Sequence, residues 1–302
     1  MTGTPMDRVL FGDNQFFGVN HMSEEKAREQ ATRFRNTSAI VETLDFALDE
    51  GIRTLMCTTH ERMAEVCSHM RADPARYRDY MFYPCMPYAH KYNDAVAELG
   101  MMGTLRKFAP QGTARALVAG GRSAAGRSID SLVRLLVDAE MKMFEGLATP
   151  VVFLQNVIVD FLMGLGFDDA FRVFADHIAE KYEAEPGFIT MNLPLLVDTL
   201  ERQGIENPII CSNINKAGFR MCGGIELYEQ TLGERRFRAI AMSIMASGVI
   251  SPEEAVEYIA SLPNIQAVVF GASSKAHIRQ TKQLVDAHLG HGRDTSICPS
   301  RS

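Results

Sequence analysis

The sequence predicts an α/β protein built as a closed (β/α)8 TIM barrel. Three observations lead there. Short apolar runs rich in β-formers recur eight times, amphipathic helical runs separate most of them, and the whole pattern occupies some 290 of the 302 residues. The predicted strands are 8–13 "RVLFGD", 53–58 "RTLMCT", 80–85 "YMFYPC", 151–156 "VVFLQN", 188–192 "FITMN", 208–212 "PIICS", 237–243 "FRAIAMS" and 266–271 "QAVVFG". The helices between them include "AIVETLDFALDEG", "DDAFRVFADHIAEKY", "LPLLVDTLERQG" and "SPEEAVEYIASL". The last carries Ser251 as its N-cap, Pro252 at its first position and Glu254 as the capping-box partner. Gly51 and Gly204 follow helices, where a left-handed residue is wanted. An open doubly wound sheet is the rival, but "LFGDNQFFG" does not fit the GxGxxG expected after its first strand.

One connection is too long for the plain barrel. Roughly 65 residues separate the third strand from the fourth, and "SIDSLVRLLVDAEMKMFEGL" supplies the expected helix. Residues 91–127 are therefore read as a lid-like helical insertion between strand 3 and helix 3, on the catalytic face of a barrel domain spanning 1–290. The insertion carries Arg106, Lys107, Arg115, Arg122 and Arg127, a basic set that would neutralise an anionic ligand or form a solvated face. Residues 291–302 are expected to fray as a flexible tail.

Composition narrows the function class. The chain is 46% hydrophobic and 23% charged, with a net charge of −6. The pI is about 5.8. A dedicated nucleic-acid binder would show a basic excess. The longest apolar stretch, "TPVVFLQNVIVDFLMGLGF", is interrupted by Gln155, Asn156 and Asp160, which argues against a membrane span. Six cysteines are scattered without a CxxC pair, as expected of reduced thiols in the cytoplasm, and the N-terminus lacks an apolar segment of signal length. The expected partner is a small-molecule substrate, with no nucleic acid and no membrane. The 17 methionines read mainly as core filler.

Several segments resemble the aldo-keto reductases. "RAIAMSIMASGVISPEEAVEYIASLPNIQAVVFGASSKAHIRQTKQLV" is similar to their seventh and eighth strands, with Gly271-Ala272-Ser273-Ser274 as the turn that opens the last helix. "GFITMNLPLLVDTLERQG" looks like their fifth strand, "PIICSNINKAGF" like their sixth, and "TLDFALDEGIRTLMCT" like their first helix and second strand. The resemblance spans most of the chain outside 91–127. It implies a barrel that binds NAD or NADP without a separate nucleotide domain. It also implies cofactor-binding roles for Asn192, Asn213, Gly271, Ser273 and Ser274. The family's Asp/Tyr/Lys/His tetrad does not carry over: Met56 stands at the Asp position, Glu61 at the Tyr position, Cys85 ends the third strand, and Gln155 or Asn156 takes the His position. Gly271 occupies the position of a lysine that grips a 2′-phosphate, with His277 at or near that of an arginine.

In a barrel, polar residues at the C-terminal strand ends face the reaction space. The catalytic candidates are Asp13, His60, Glu61, Cys57 and Cys85. Asp13 would act as a general base or metal ligand, or else cap a turn. His60 suits proton transfer near neutrality. Cys57 and Cys85 would be nucleophiles with His60 or His90 as base. The pairs Cys57/His60 and Cys85/His90 could offer zinc four ligands, but their spacing matches no metal signature, and no metal is assigned. Asn14, His90, Asn156 and Arg122 are the substrate-binding candidates. Three functions follow: an NAD(P)-linked oxidoreductase with a non-standard proton donor, a lyase or isomerase acting on a phosphorylated or carboxylated metabolite, and a non-catalytic regulatory barrel.

Overall fold

A computed structural model describes residues 6–18, 24–88, 131 and 133–290. The expected insertion at 91–127, the tail at 291–302, and the candidates His90 and Arg122 lie outside the described residues.

Eight parallel strands close in chain order, β1 next to β2 and onward to β8, which pairs back to β1. They are β1 (Val9–Gly12), β2 (Thr54–Thr58), β3 (Met81–Met86), β4 (Val151–Leu154), β5 (Glu185–Thr190), β6 (Ile209–Asn213), β7 (Arg238–Met242) and β8 (Ile265–Phe270). All eight predicted strands are present. The open sheet is excluded by the β1–β8 pairing, in which Leu10 is opposite Val269.

Helices cover the outside: α1 (Glu24–Arg33), α2 (Thr37–Asp49), α3 (Glu61–Ala72), α4 (133–141), α5 (Asn156–Leu165), α6 (Asp169–Tyr182), α7 (Leu193–Arg202), α8 (Ile225–Glu234), α9 (Pro252–Ser261) and α10 (Lys275–Leu289). The predicted Ser251 cap forms, its hydroxyl accepting from Glu254 N–H at 3.2 Å. Four helices have no counterpart among the predicted runs: α1, α3, α5 and α8. α5 grows from the apolar run after β4, which the sequence reading had treated as strand and connection. α1 lies between β1 and α2 and packs on the 3-10 turn Asn14–Phe17. Gly18 ends that turn at φ +67°, and a Cβ there would crowd Ala27 and Ala31 of α1. Glycine at 18 thus lets α1 lie close to the end of β1.

Strand alternation divides the core into two shells. One side chain of each successive pair enters the barrel; the other packs under the helices. On β2, Met56 points inward while Leu55 and Cys57 join the outer shell. The interior holds large side chains because small ones face them. Gly187 is opposite Phe153, and a Cβ at 187 would overlap the Phe153 ring.

Candidate active site

The C-terminal mouth of the barrel opens into a cavity of about 380 Å3. Its wall begins where β1 and β2 end. Gly12 is in register with Met56, after which the β1 backbone turns away. The Asp13 carboxylate then takes the next partner on β2: Oδ2 accepts from both the backbone N–H and the Oγ1 of Thr58, each at 2.7 Å. Thr58 is in register with Cys85, so Asp13, Thr58 and Cys85 come together on this side of the mouth.

Asp13 is 5% exposed. Burial raises its pKa from 3.8 to about 6, and the two Thr58 bonds offset only part of that rise. The Cys85 thiol is pushed well above its ordinary range, first by burial and then by the charge of Asp13. Cys211, across the cavity on β6, is raised by burial alone. Both stay thiols at neutral pH, so they are poor nucleophiles. Cys85, a nucleophile candidate from the sequence, forms part of the cavity wall. The side chain of Cys57, the other such candidate, faces the helices, is fully buried, and has a thiol likewise raised by desolvation.

His60 is not among the cavity-lining residues. It caps α3, its Nδ1 accepting from the Arg62 N–H at 3.1 Å, and its ring stacks on Phe17 with centroids 4.0 Å apart. An accepting Nδ1 puts the neutral ring's proton on Nε2. Glu61 is exposed in the first turn of α3, where a carboxylate suits the helix dipole. The structure thus places the predicted His60–Glu61 pair at a helix start outside the cavity.

The cofactor-side candidates separate in the same way. Asn192 caps α7, its side chain accepting from Leu195 N–H at 3.3 Å. Asn213 is buried, with Nδ2 donating to Met191 Sδ and to the Arg220 carbonyl. Ser274 caps α10 through His277 N–H at 3.2 Å. Neither they nor Ser273 line the cavity; Gly271 does. A Cβ at 271 would overlap the Gln15 side-chain oxygen, so this glycine makes room for Gln15. The substrate candidates Asn14 and Asn156 both line the cavity, Asn14 exposed just past β1 and Asn156 at the first position of α5.

Sequence reasoning missed Gln15, Gln30, Thr58, Cys211 and, after β7, Ser247. Alternation from inward-facing Met56 and Ile209 would have found Thr58 and Cys211. Gln30 had no signal, because it reaches the mouth from the unforeseen α1. After β7, Ser243 and Ser247 line the cavity in left-handed conformations, at φ 55° and 59°. Non-glycine residues rarely hold that geometry without a surrounding structure that enforces it.

No family model and no curated protein matches the sequence. Solved structures do match, over nearly the full chain. A protein of Pseudomonas aeruginosa assigned to the aldo-keto reductases aligns with a TM-score of 0.59 at 12% identity, covering 95% of each chain. The chain has the aldo-keto reductase fold. An aldo/keto reductase from Brucella melitensis gives a TM-score of 0.52 at 11% identity, over 92% of this chain and 89% of that one. Aldose reductase from Giardia lamblia gives 0.51 at 12%, over 96% and 94%. The aldo-keto reductase fold raises the question of a nicotinamide cofactor. Asn192, Asn213 and Ser274 are engaged in local structure, and no Lys or Arg among the described residues lines the cavity.

Proposed function

We propose that the chain is a small-molecule enzyme in which Asp13 moves a proton to or from a substrate held in the barrel mouth. One observation carries this reading: a buried carboxyl with a pKa of about 6, in the wall of a cavity of small-molecule size. Near neutral pH such a group is available both as acid and as base, the condition for efficient proton transfer. The same observation counts against a barrel retired to regulation. A lyase or isomerase reaction would need Asp13 and a bound substrate but no dinucleotide. The basic residues of 91–127 had suggested an anionic substrate; the described wall offers no cation to meet one.

An NAD(P)-linked oxidoreductase is the second reading, supported by the shared fold. Five unpaired cysteines among the described residues suit a cytoplasmic enzyme, and among those residues no helix is long and apolar enough to cross a membrane. The test is hydrogen exchange. The protein is incubated with a mixture of small metabolites in deuterated water, and nuclear magnetic resonance follows deuterium uptake and new products. Uptake that vanishes in Asp13→Asn supports the reading; uptake unchanged by that substitution sinks it. A parallel fluorescence titration with NADH and NADPH separates the classes, since binding of either would favour the oxidoreductase.

A further inference from the structure

Asp13 is the only formally charged side chain among the described residues that line the cavity. Among the described residues, its surroundings bring no compensating cation. Thr58 of β2 is neutral, and the titratable groups that interact with it, Cys57, Cys85 and Tyr88, are all raised by burial and stay uncharged at neutral pH. The other polar wall residues are hydroxyls and carboxamides. Two of these carboxamides have an acceptor with no donor.

Gln15 is 4% exposed and lines the cavity. Its Nε2 donates to the Gly12 carbonyl at 2.7 Å, which fixes the orientation of the amide. Its Oε1 is left buried without a partner among the described residues. Gln30, half-buried on α1, repeats the pattern with an unpartnered Oε1 in the same cavity wall. Buried acceptors without donors are rare in native proteins, and each calls for a specific cause. Here the two glutamines that carry these acceptors, and one carboxylate uncompensated among the described residues, line a single cavity. A negatively charged ligand would add a like charge beside Asp13. A neutral ligand would leave the carboxylate unmatched.

We infer that the cavity takes a positively charged, amino-bearing small molecule, with Asp13 as its counter-ion and the amide oxygens of Gln15 and Gln30 accepting from its N–H or O–H groups. This inference rests on the reading of the cavity as the substrate site. Gln15 is then a specificity residue, held in place by the space at Gly271.

The test follows the Asp13 carboxyl carbon by nuclear magnetic resonance in the full chain, titrated with pH. Methylammonium, methanol and formate serve as probes small enough to enter. A seated cation favours the ionised carboxylate, so methylammonium lowers the midpoint below about 6 while methanol and formate do not. A midpoint insensitive to methylammonium, or lowered equally by methanol, overturns the inference. Calorimetry at neutral pH then compares glucosamine, glucose and glucuronate, which share one ring skeleton. Glucosamine is expected to bind roughly tenfold or more tightly than the others, as for other buried charge pairs, and Asp13→Asn to abolish the preference. Gln15→Ala, which leaves the carboxylate in place, should weaken glucosamine while keeping the order of the three. Glucuronate or glucose binding as well as glucosamine overturns the inference. The proton-transfer reading fails separately, through hydrogen exchange that survives Asp13→Asn.

Discussion

The two sides of the barrel mouth use polar side chains in opposite ways. On the β1–β3 side, Asp13 and Thr58 meet at the cavity, and Gln15 keeps an amide oxygen unbonded. On the β5, β6 and β8 side, Asn192, Asn213 and Ser274 are engaged with the backbone and sulfur of their own neighbourhood. Both sides look equally promising as a list of strand-end residues. The difference lies in whether a nearby loop or helix start has already taken the donor or acceptor. A helix leaves its first four N–H groups unsatisfied, and a Ser or Asn placed there is drawn into capping them.

Five substitutions test this contrast, from the largest expected effect to the smallest. Asp13→Asn should lower proton-transfer activity by about 10²- to 10⁴-fold, the range for loss of an acid–base group. Its effect on stability runs the other way. A carboxyl whose pKa is raised on folding, from 3.8 to about 6, gives stability that is present below pH 4 and lost as pH climbs through 6. Above pH 6 the ionised group costs about 3 kcal/mol, so Asp13→Asn should melt at a higher temperature than the parent at pH 8 and lose that advantage near pH 4. A melting temperature that falls at pH 8 would mean that Asp13 is matched by a cation.

Gly271→Ala comes second. Its Cβ would collide with Gln15, at a cost of about 1–3 kcal/mol for overpacking. The double variant with Gln15→Ala should recover most of that loss in chemical denaturation; no recovery would mean that the glycine serves something other than Gln15. Asn192→Ala and Ser274→Ala should each cost about 1 kcal/mol through loss of a helix cap. Neither should change ligand binding by calorimetry, and a binding defect larger than the stability loss would return the β5–β8 side to the active site. His60→Ala should show the smallest effect, a cap and a ring stack lost for about 1 kcal/mol with turnover retained. Abolished turnover would restore His60 as the proton carrier.

The barrel itself was legible because its signal is distributed. Eight β-rich runs and the helices between them agree, and a misplaced strand end changes nothing in the topology. β5 begins at Glu185, earlier than its apolar core suggests, without disturbing its pairing. The helix after β4 was hidden because "VIVDFL" is as apolar as a strand, and only the α-helical bonding of Asn156–Leu165 separates the two. Its Asp160 reads in sequence as a mere interruption. In the fold it accepts from Thr190 Oγ1 at 2.6 Å and Met191 N–H at 3.1 Å, tying α5 to the end of β5. The site was only half legible. Asp13, Asn14, Cys85, Asn156 and Gly271 reach the cavity from strand ends, helix starts and turns that the sequence marks. Cys57 was misread because position in a strand was weighed without the alternation that turns it outward. Gln30 reaches the mouth through a helix whose docking depends on the close approach at Gly18.

Glu140 gives the scaffold a further property. It is 3% exposed on α4, accepts from Tyr88 N–H just beyond β3, and also accepts from Thr59 Oγ1. Tyr88 and α4 flank residues 89–130 in the chain, so one buried carboxylate joins the two ends of the described structure on either side of them. Closing a longer stretch between fixed roots adds only about 0.6 kcal/mol for each doubling of its length. The barrel is therefore a socket at this corner. Evolution, or an engineer, can exchange what lies between residues 88 and 131 for a segment of different length and chemistry without rebuilding the eight strands.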